Sequence, residues 1–196
     1  MKRYVVMMLA VLMLLIVSVQ CSAEETEVID FEYSPVEDFR YEATEEGIRI
    51  VRYLGKQTLV VIPDTIEGKT VIGIGKYAFS MNSYIENVII PESVNSIEYE
   101  AFNMCVNLRE IEIPCGVSTI EDATFGSCVM LESVTIPESV VSIGENAFAD
   151  CTALTSIIIP ESVTDCASNA FYRCENLIDI TAPDPILEVI TSWKNQ

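Results

Sequence analysis

Residues 137–159 read PESVVSIGENAFADCTALTSIII, and the chain repeats this pattern. Aligned on the proline, the neighbouring copies are PESVNSIEYEAFNMCVNLREIEI from Pro91, PCGVSTIEDATFGSCVMLESVTI from Pro114 and PESVTDCASNAFYRCENLIDITA from Pro160, a period of 23 residues without a slip. Self-similarity at a fixed period of this length predicts a solenoid, in which each copy is one coil that cannot bury its apolar side alone. The apolar skeleton of the quoted unit is Val140, Ile143, Ala147, Phe148, Cys151, Leu154, Ile157 and Ile159. β-Branched residues around Val140 to Ile143, and again between Leu154 and Ile159, predict two short parallel strands per coil. The proline after each second strand has no N–H for a ladder, so it stands at the strand end as the corner. The Ala-Phe pair lies in a stretch too short for a regular α-helix and is expected to form one helical turn that delivers the ring inward. Strands in a sheet lie ~4.8 Å apart, so equal positions of successive coils stack into columns of like residues. Phe79, Phe102, Phe125, Phe148 and Phe171 are expected to form one such column inside.

The same stacking defines an outer face. Side chains alternate along a strand, so if the residues one and three before each proline point in, those two and four before it point out. The minus-two column is Val61, Ile89, Glu112, Thr135, Ile158 and Thr181, and the minus-four column is Asn87, Glu110, Ser133, Ser156 and Asp179. These positions differ from coil to coil while the inward ones barely change, which marks them as a candidate binding face. Ile89 and Ile158 are its large apolar residues. The competing surfaces are the first-unit insertion around Lys69 and the two ends of the array.

The first copy starts at Pro63, 28 residues before Pro91, and the five extra residues fall in IEGKTV. Gly68-Lys69 there is a turn signal, and the insertion is expected to project as a small hairpin. Upstream, GIRIVRYLGKQTLVVIP from Gly47 reads as two alternating strands around a Leu54-Gly55-Lys56 turn, a hairpin cap for the open sheet edge. Residues 24–46 are acidic, carry no repeat signature and are expected to form a flexible leader. Residues 184–196 lose the pattern. Ile186, Leu187, Ile190 and Trp193 there are spaced like one face of a short helix or strand, a C-terminal cap. At the other end Lys2 and Arg3 precede an uncharged apolar run from Tyr4 to Val19 and small residues, the pattern of a secretory signal peptide over residues 1–23, with cleavage after Ala23. Lipidation at Cys21 is disfavoured by Gln20 before it, and the apolar run is short of the ~20 residues that span a bilayer.

Past residue 23 there are thirty acidic residues against nine basic ones, a net charge of −21. Nucleic acid and anionic membrane surfaces are therefore unsuitable partners. The chain has no histidine, which removes Ser-His-Asp and Cys-His catalysis and ordinary His-ligated zinc. The carboxylates sit at repeat positions, as Asp64, Glu92, Glu138 and Glu161 do after their prolines. That column reads as a solvated corner, since one column supplies too few oxygens for calcium. Among the seven cysteines, Cys105, Cys128, Cys151 and Cys174 each stand three residues after the phenylalanine and Cys166 takes the place of an isoleucine. These five read as small core residues, with disulfides between adjacent coils as the alternative. Cys115, at a corner beside Gly116, is the one expected to be exposed.

IPESV, SIG, AF, the cysteine three residues after the phenylalanine and LxSIxIP together resemble the leucine-rich repeats of the BspA-like type, over Gly47 to about Pro183. The resemblance implies a mainly β fold, a right-handed leucine-rich-repeat β-solenoid of about five coils with an N-terminal hairpin cap. It also implies a secreted or cell-surface binding module whose partner is an extracellular protein or glycan and whose task is adhesion; from the residue types themselves, no cofactor or metal is expected. A structural part in a surface layer or matrix is the alternative, and a small secreted enzyme is a remote one.

Overall fold

The structure, a computed structural model, describes residues 32–191. The expected signal peptide, the start of the leader and Trp193 lie outside those residues. In chain order the strands are β1 (Phe39–Ala43), β2 (Ile48–Tyr53), β3 (Leu59–Val61), β4 (Thr65–Ile66), β5 (Lys69–Ile74), β6 (Asn87–Ile89), β7 (Ser96–Ile97), β8 (Glu110–Glu112), β9 (Thr119–Ile120), β10 (Ser133–Thr135), β11 (Ser142–Ile143), β12 (Ser156–Ile158), β13 (Asp165–Cys166) and β14 (Asp179–Thr181). A short 3-10 turn at Val36–Asp38 precedes them and one helix, α1 (Asp184–Thr191), follows.

These elements wind into a mainly β solenoid with two strands per coil, as the repeat predicts. The strands before each proline stack in parallel as β3, β6, β8 and β10, and then as β12 and β14. Those after it stack as β5 with β7 and as β9, β11 and β13. Register follows the repeat, with Ser133 beside Glu110 and Ile143 beside both Ile120 and Cys166. The prolines at 63, 91, 114, 137 and 160 are buried at the corners.

The five phenylalanines form the internal ladder, their rings nearly parallel at successive centroid distances of 4.8, 5.5, 5.4 and 5.1 Å. The cysteine column packs beside it. Cys105, Cys128, Cys151 and Cys174 are buried, and each thiol donates to the carbonyl of the phenylalanine one coil back, at 3.1, 3.2, 3.2 and 3.0 Å. Cys105, Cys128, Cys151 and Cys166 are free thiols. The column thus selects a small apolar residue with one weak donor.

The Ala-Phe segment is not a helical turn. Two residues before the phenylalanine and two after it the backbone is left-handed, as at Tyr77 and Met81 (φ 59 and 61°) and at Glu100 and Met104 (φ 52 and 59°). These kinks free alternate N–H groups to bond the next coil. The N–H of Phe79, Phe102, Phe125 and Phe148 donates to Ala101, Thr124, Ala147 and Ala170 at 2.8–2.9 Å. Helical residues would spend those donors inside their own turn.

The N-terminal cap also differs from the expectation. β2 and β3 do not form a hairpin around Gly55, because each joins a different sheet, β2 pairing β5 and β3 pairing β6 in parallel. Residues 48–62 therefore make a further coil. Its Tyr53 takes the phenylalanine position, stacking 5.3 Å from Phe79 and donating its N–H to Ala78 at 2.7 Å. The hairpin that closes the array is β1 against β2, antiparallel, and Phe39 adds a ring 5.1 Å from Tyr53. The second half of the expected leader thus belongs to the cap. Ser34 extends it by donating its N–H to Val61 O and accepting the Val61 N–H on its hydroxyl, both at 3.0 Å.

The first-unit insertion is the expected hairpin, β4 antiparallel to β5. Glu67 and Gly68 both have positive φ, 51 and 77°, the conformation of a tight primed turn. It does not project free of the core, since Ile66 is buried. At the other end α1 buries Ile186 and Ile190 and leaves Leu187 half-buried.

Candidate binding face

Strands β3, β6, β8, β10, β12 and β14 put their inward residues, Val60, Val88, Ile111 and Ile157 among them, into the core. Their alternate residues line one outer face, as the count back from the proline predicts. Glu110, Glu112, Ser133, Ser156, Ile158, Asp179 and Thr181 are exposed there, and Asn87, Ile89 and Thr135 are half-buried. Lateral pairing joins Asn87 to Glu110, Glu110 to Ser133, Glu112 to Thr135, Ser156 to Asp179 and Ile158 to Thr181. Val61 is the correction. It is buried because Ser34 and its neighbours lie across the first rung.

The structure adds a column that counting by alternate residues passes over. Glu86, Arg109, Glu132, Thr155 and Ile178 stand five before their prolines, where the chain enters the strand. The rungs are tied by Arg109 N–H to Glu86 O and Glu132 N–H to Arg109 O, both at 2.8 Å, and by Ile178 N–H to Thr155 O at 3.1 Å. Strand alternation carried to minus five would turn them inward; it does not apply there, because each strand begins one residue later. Ile178 is 83 % exposed and Ile158 70 %, so both stand in water at the C-terminal end of the face.

The electrostatics of the face are one-sided. Among the described residues Arg109 is the only basic side chain in these three columns, and Glu132 holds its Nη1 at 2.7 Å with Glu86 4.0 Å from Nε. Glu110, Glu112 and Asp179 have no such partner among the ion pairs of the described residues. The groups packed around Glu112, and then the charge of Glu92, push its carboxyl above the ordinary carboxylate range.

Other carboxylates serve the fold. On the second sheet a shallow recess is bordered by Glu121, Asp122 and Asp165. Two of these are committed to neighbouring coils, Glu121 accepting the Tyr99 N–H at 3.0 Å and Asp122 the Glu145 N–H at 2.7 Å. At the corners Asp64 accepts the Tyr33 hydroxyl at 3.0 Å and Glu92 the Cys115 N–H at 3.4 Å. Cys115 is half-buried. Among the described residues no helix is long and apolar enough to cross a membrane, and no three acidic or cysteine side chains converge as a metal would require.

Such an array of short parallel strands, with a constant inside and a varied outside, defines a leucine-rich-repeat scaffold. The chain belongs to the BspA type leucine rich repeat family, whose repeat region matches residues 70–193 in six copies. Among solved structures it is similar to the leucine-rich repeat protein of T. pallidum, with 35% identity and a TM-score of 0.75 over 78% of this chain and 72% of that one. A leucine-rich repeat protein from Bacteroides ovatus is 31% identical with a TM-score of 0.68, over 80% of this chain and 42% of that one. A leucine rich cell surface protein from Faecalibacterium prausnitzii shares the fold at 24% identity and a TM-score of 0.51, over 80% of this chain and 57% of that one. No curated protein matches the chain.

Proposed function

We propose that the chain is a secreted or surface-held binding module that engages an extracellular partner, in an adhesive role, through the face built by β3, β6, β8, β10, β12 and β14. The observation that carries this reading is the contrast between columns. Inward positions stay aliphatic coil after coil, whereas Ile89, Glu112, Thr135, Ile158 and Thr181 share one column and differ in size, charge and polarity. Export rests on the signal-peptide pattern of residues 1–23, and intact mass of secreted protein beginning at Glu24 is its check.

The test of the face is an array of matrix proteins and glycans probed with residues 24–196. The double change Ile158→Ser with Glu112→Lys is expected to weaken the binding found. Surface changes of this kind alter stability by about 0.5 kcal/mol at most, so the melting temperature should stay nearly constant. Binding that survives the change moves the site to the hairpin around Lys69.

A further inference from the structure

Resting on that reading, we infer that this face takes a cationic polypeptide, one that presents an apolar side chain flanked by lysine or arginine. Two features of the surface lead there. Glu86, Glu110, Glu112, Glu132 and Asp179 crowd the outer columns, and among the described residues Arg109 alone opposes them, already held by Glu132 and Glu86. The surface therefore repels acidic partners, sulfated or carboxylated glycans included, and attracts cations, since like charges brought together across an interface are strongly disfavoured.

Ile158 and Ile178 supply the second feature. They are 70 % and 83 % exposed, on adjacent coils of the same face, with Thr155, Ser156 and Thr181 around them. Among the described residues a neutral sugar would meet there branched aliphatic side chains, and the three outer columns hold no aromatic ring to stack on. A protein side chain of Leu, Ile or Met size matches that chemistry, and buried apolar anchors ringed by polar contacts are how protein interfaces concentrate their energy. A lysine- or arginine-flanked apolar residue satisfies both features at once, with its apolar side chain on Ile158 or on Ile178 and the cations over Glu110, Glu112 and Asp179.

The experiment uses three synthetic 15-residue probes, alternating Lys-Leu, Lys-Ser and Glu-Leu, in fluorescence anisotropy with residues 24–196. The Lys-Leu probe is expected to bind, the Lys-Ser probe at least 10-fold more weakly, and the Glu-Leu probe not at all. Neutralising the face by Glu110→Gln, Glu112→Gln and Asp179→Asn should weaken Lys-Leu binding at least 10-fold. Neutralising Glu145, Glu175 and Glu188, which removes the same charge away from the face, should change it less than 2-fold. Equal loss from the two triple variants would reduce the effect to bulk charge and overturn the inference, as would Glu-Leu binding that rivals Lys-Leu. A partner found on the array that depends on Ile158 and Glu112 but is acidic or saccharide would also overturn it, while leaving the face itself as the interaction surface.

Discussion

At the scale of single residues the solenoid is held by columns, and a column makes each member answerable to two neighbours. Phe125 stacks on Phe102 at 5.5 Å and on Phe148 at 5.4 Å and is wholly buried. Phe125→Ala would open a void with rings above and below that cannot collapse, and is expected to cost ~3–5 kcal/mol, read as a drop in urea midpoint. A midpoint within experimental error of the parent would sink the stacked-core account. The left-handed residues beside the rings make a finer prediction. Met104 has φ 59° and is 42 % exposed. A non-glycine residue gives up ~1–2 kcal/mol in that conformation, more than the ~0.5–1 kcal/mol entropic cost of glycine. Met104→Gly should therefore raise stability by up to ~1 kcal/mol and Met104→Val should lower it. The ring and cysteine columns were legible because each recurs with the period. The left-handed sites were not, since Tyr77, Glu100, Ala123 and Asn146 occupy one backbone position with four unrelated side chains. The demand at that position is for a backbone conformation, and side-chain type does not report it.

At the scale of elements, strand pairing inside the array follows from the repeat, whereas its ends follow from local chemistry that the repeat does not encode. Reading residues 47–63 as a hairpin failed because two alternating runs around a glycine look alike whether the chain reverses or goes round a coil. What decides is Tyr53, whose ring continues the phenylalanine stack. The acidic run before it hid β1, since only Phe39 of that strand is fully buried. Ser34 is the clearest local device. It is buried, its hydroxyl accepts the Val61 N–H at 3.0 Å, and its own N–H bonds Val61 O, so it ends the face as a one-residue strand. Ser34→Ala would leave a buried N–H without its acceptor, a loss of ~1–3 kcal/mol. Hydrogen exchange should show it first, as faster exchange at Val61 with the Phe125 amide unchanged; equal acceleration at both sites would mean that the cap and the middle coils open as one unit.

For the whole molecule the governing quantity is charge. Thirty carboxylates against nine basic residues past residue 23 give a chain that repels itself when compact, and stacking equal positions in a solenoid sets like charges in adjacent coils. Two carboxylates about 5 Å apart in water repel by roughly 1 kcal/mol, and several rows contain such neighbours, among them Glu98 with Glu121 and Glu138 with Glu161 one coil apart. The ion pairs of Arg49 with Glu42, Arg109 with Glu132 and Arg173 with Asp150 offset little of this, because they are surface pairs. Salt should therefore stabilise the protein by screening. The Debye length falls from ~30 Å at 0.01 M to ~10 Å at 0.1 M salt and ~3 Å at 1 M, so most of the relief is expected by a few tenths molar. A gain of ~1–2 kcal/mol across that range would raise the melting temperature by roughly 2–8 °C in a chain of this size. The effect should be the same in sodium and potassium chloride. Calcium chloride at equal ionic strength should add little, because the carboxylates after the prolines form one interrupted column, broken at Cys115, and do not converge as ligands. A melting temperature that rises steeply with micromolar calcium, or that ignores monovalent salt, would replace self-repulsion with specific cation binding as the force that sets the stability of the array.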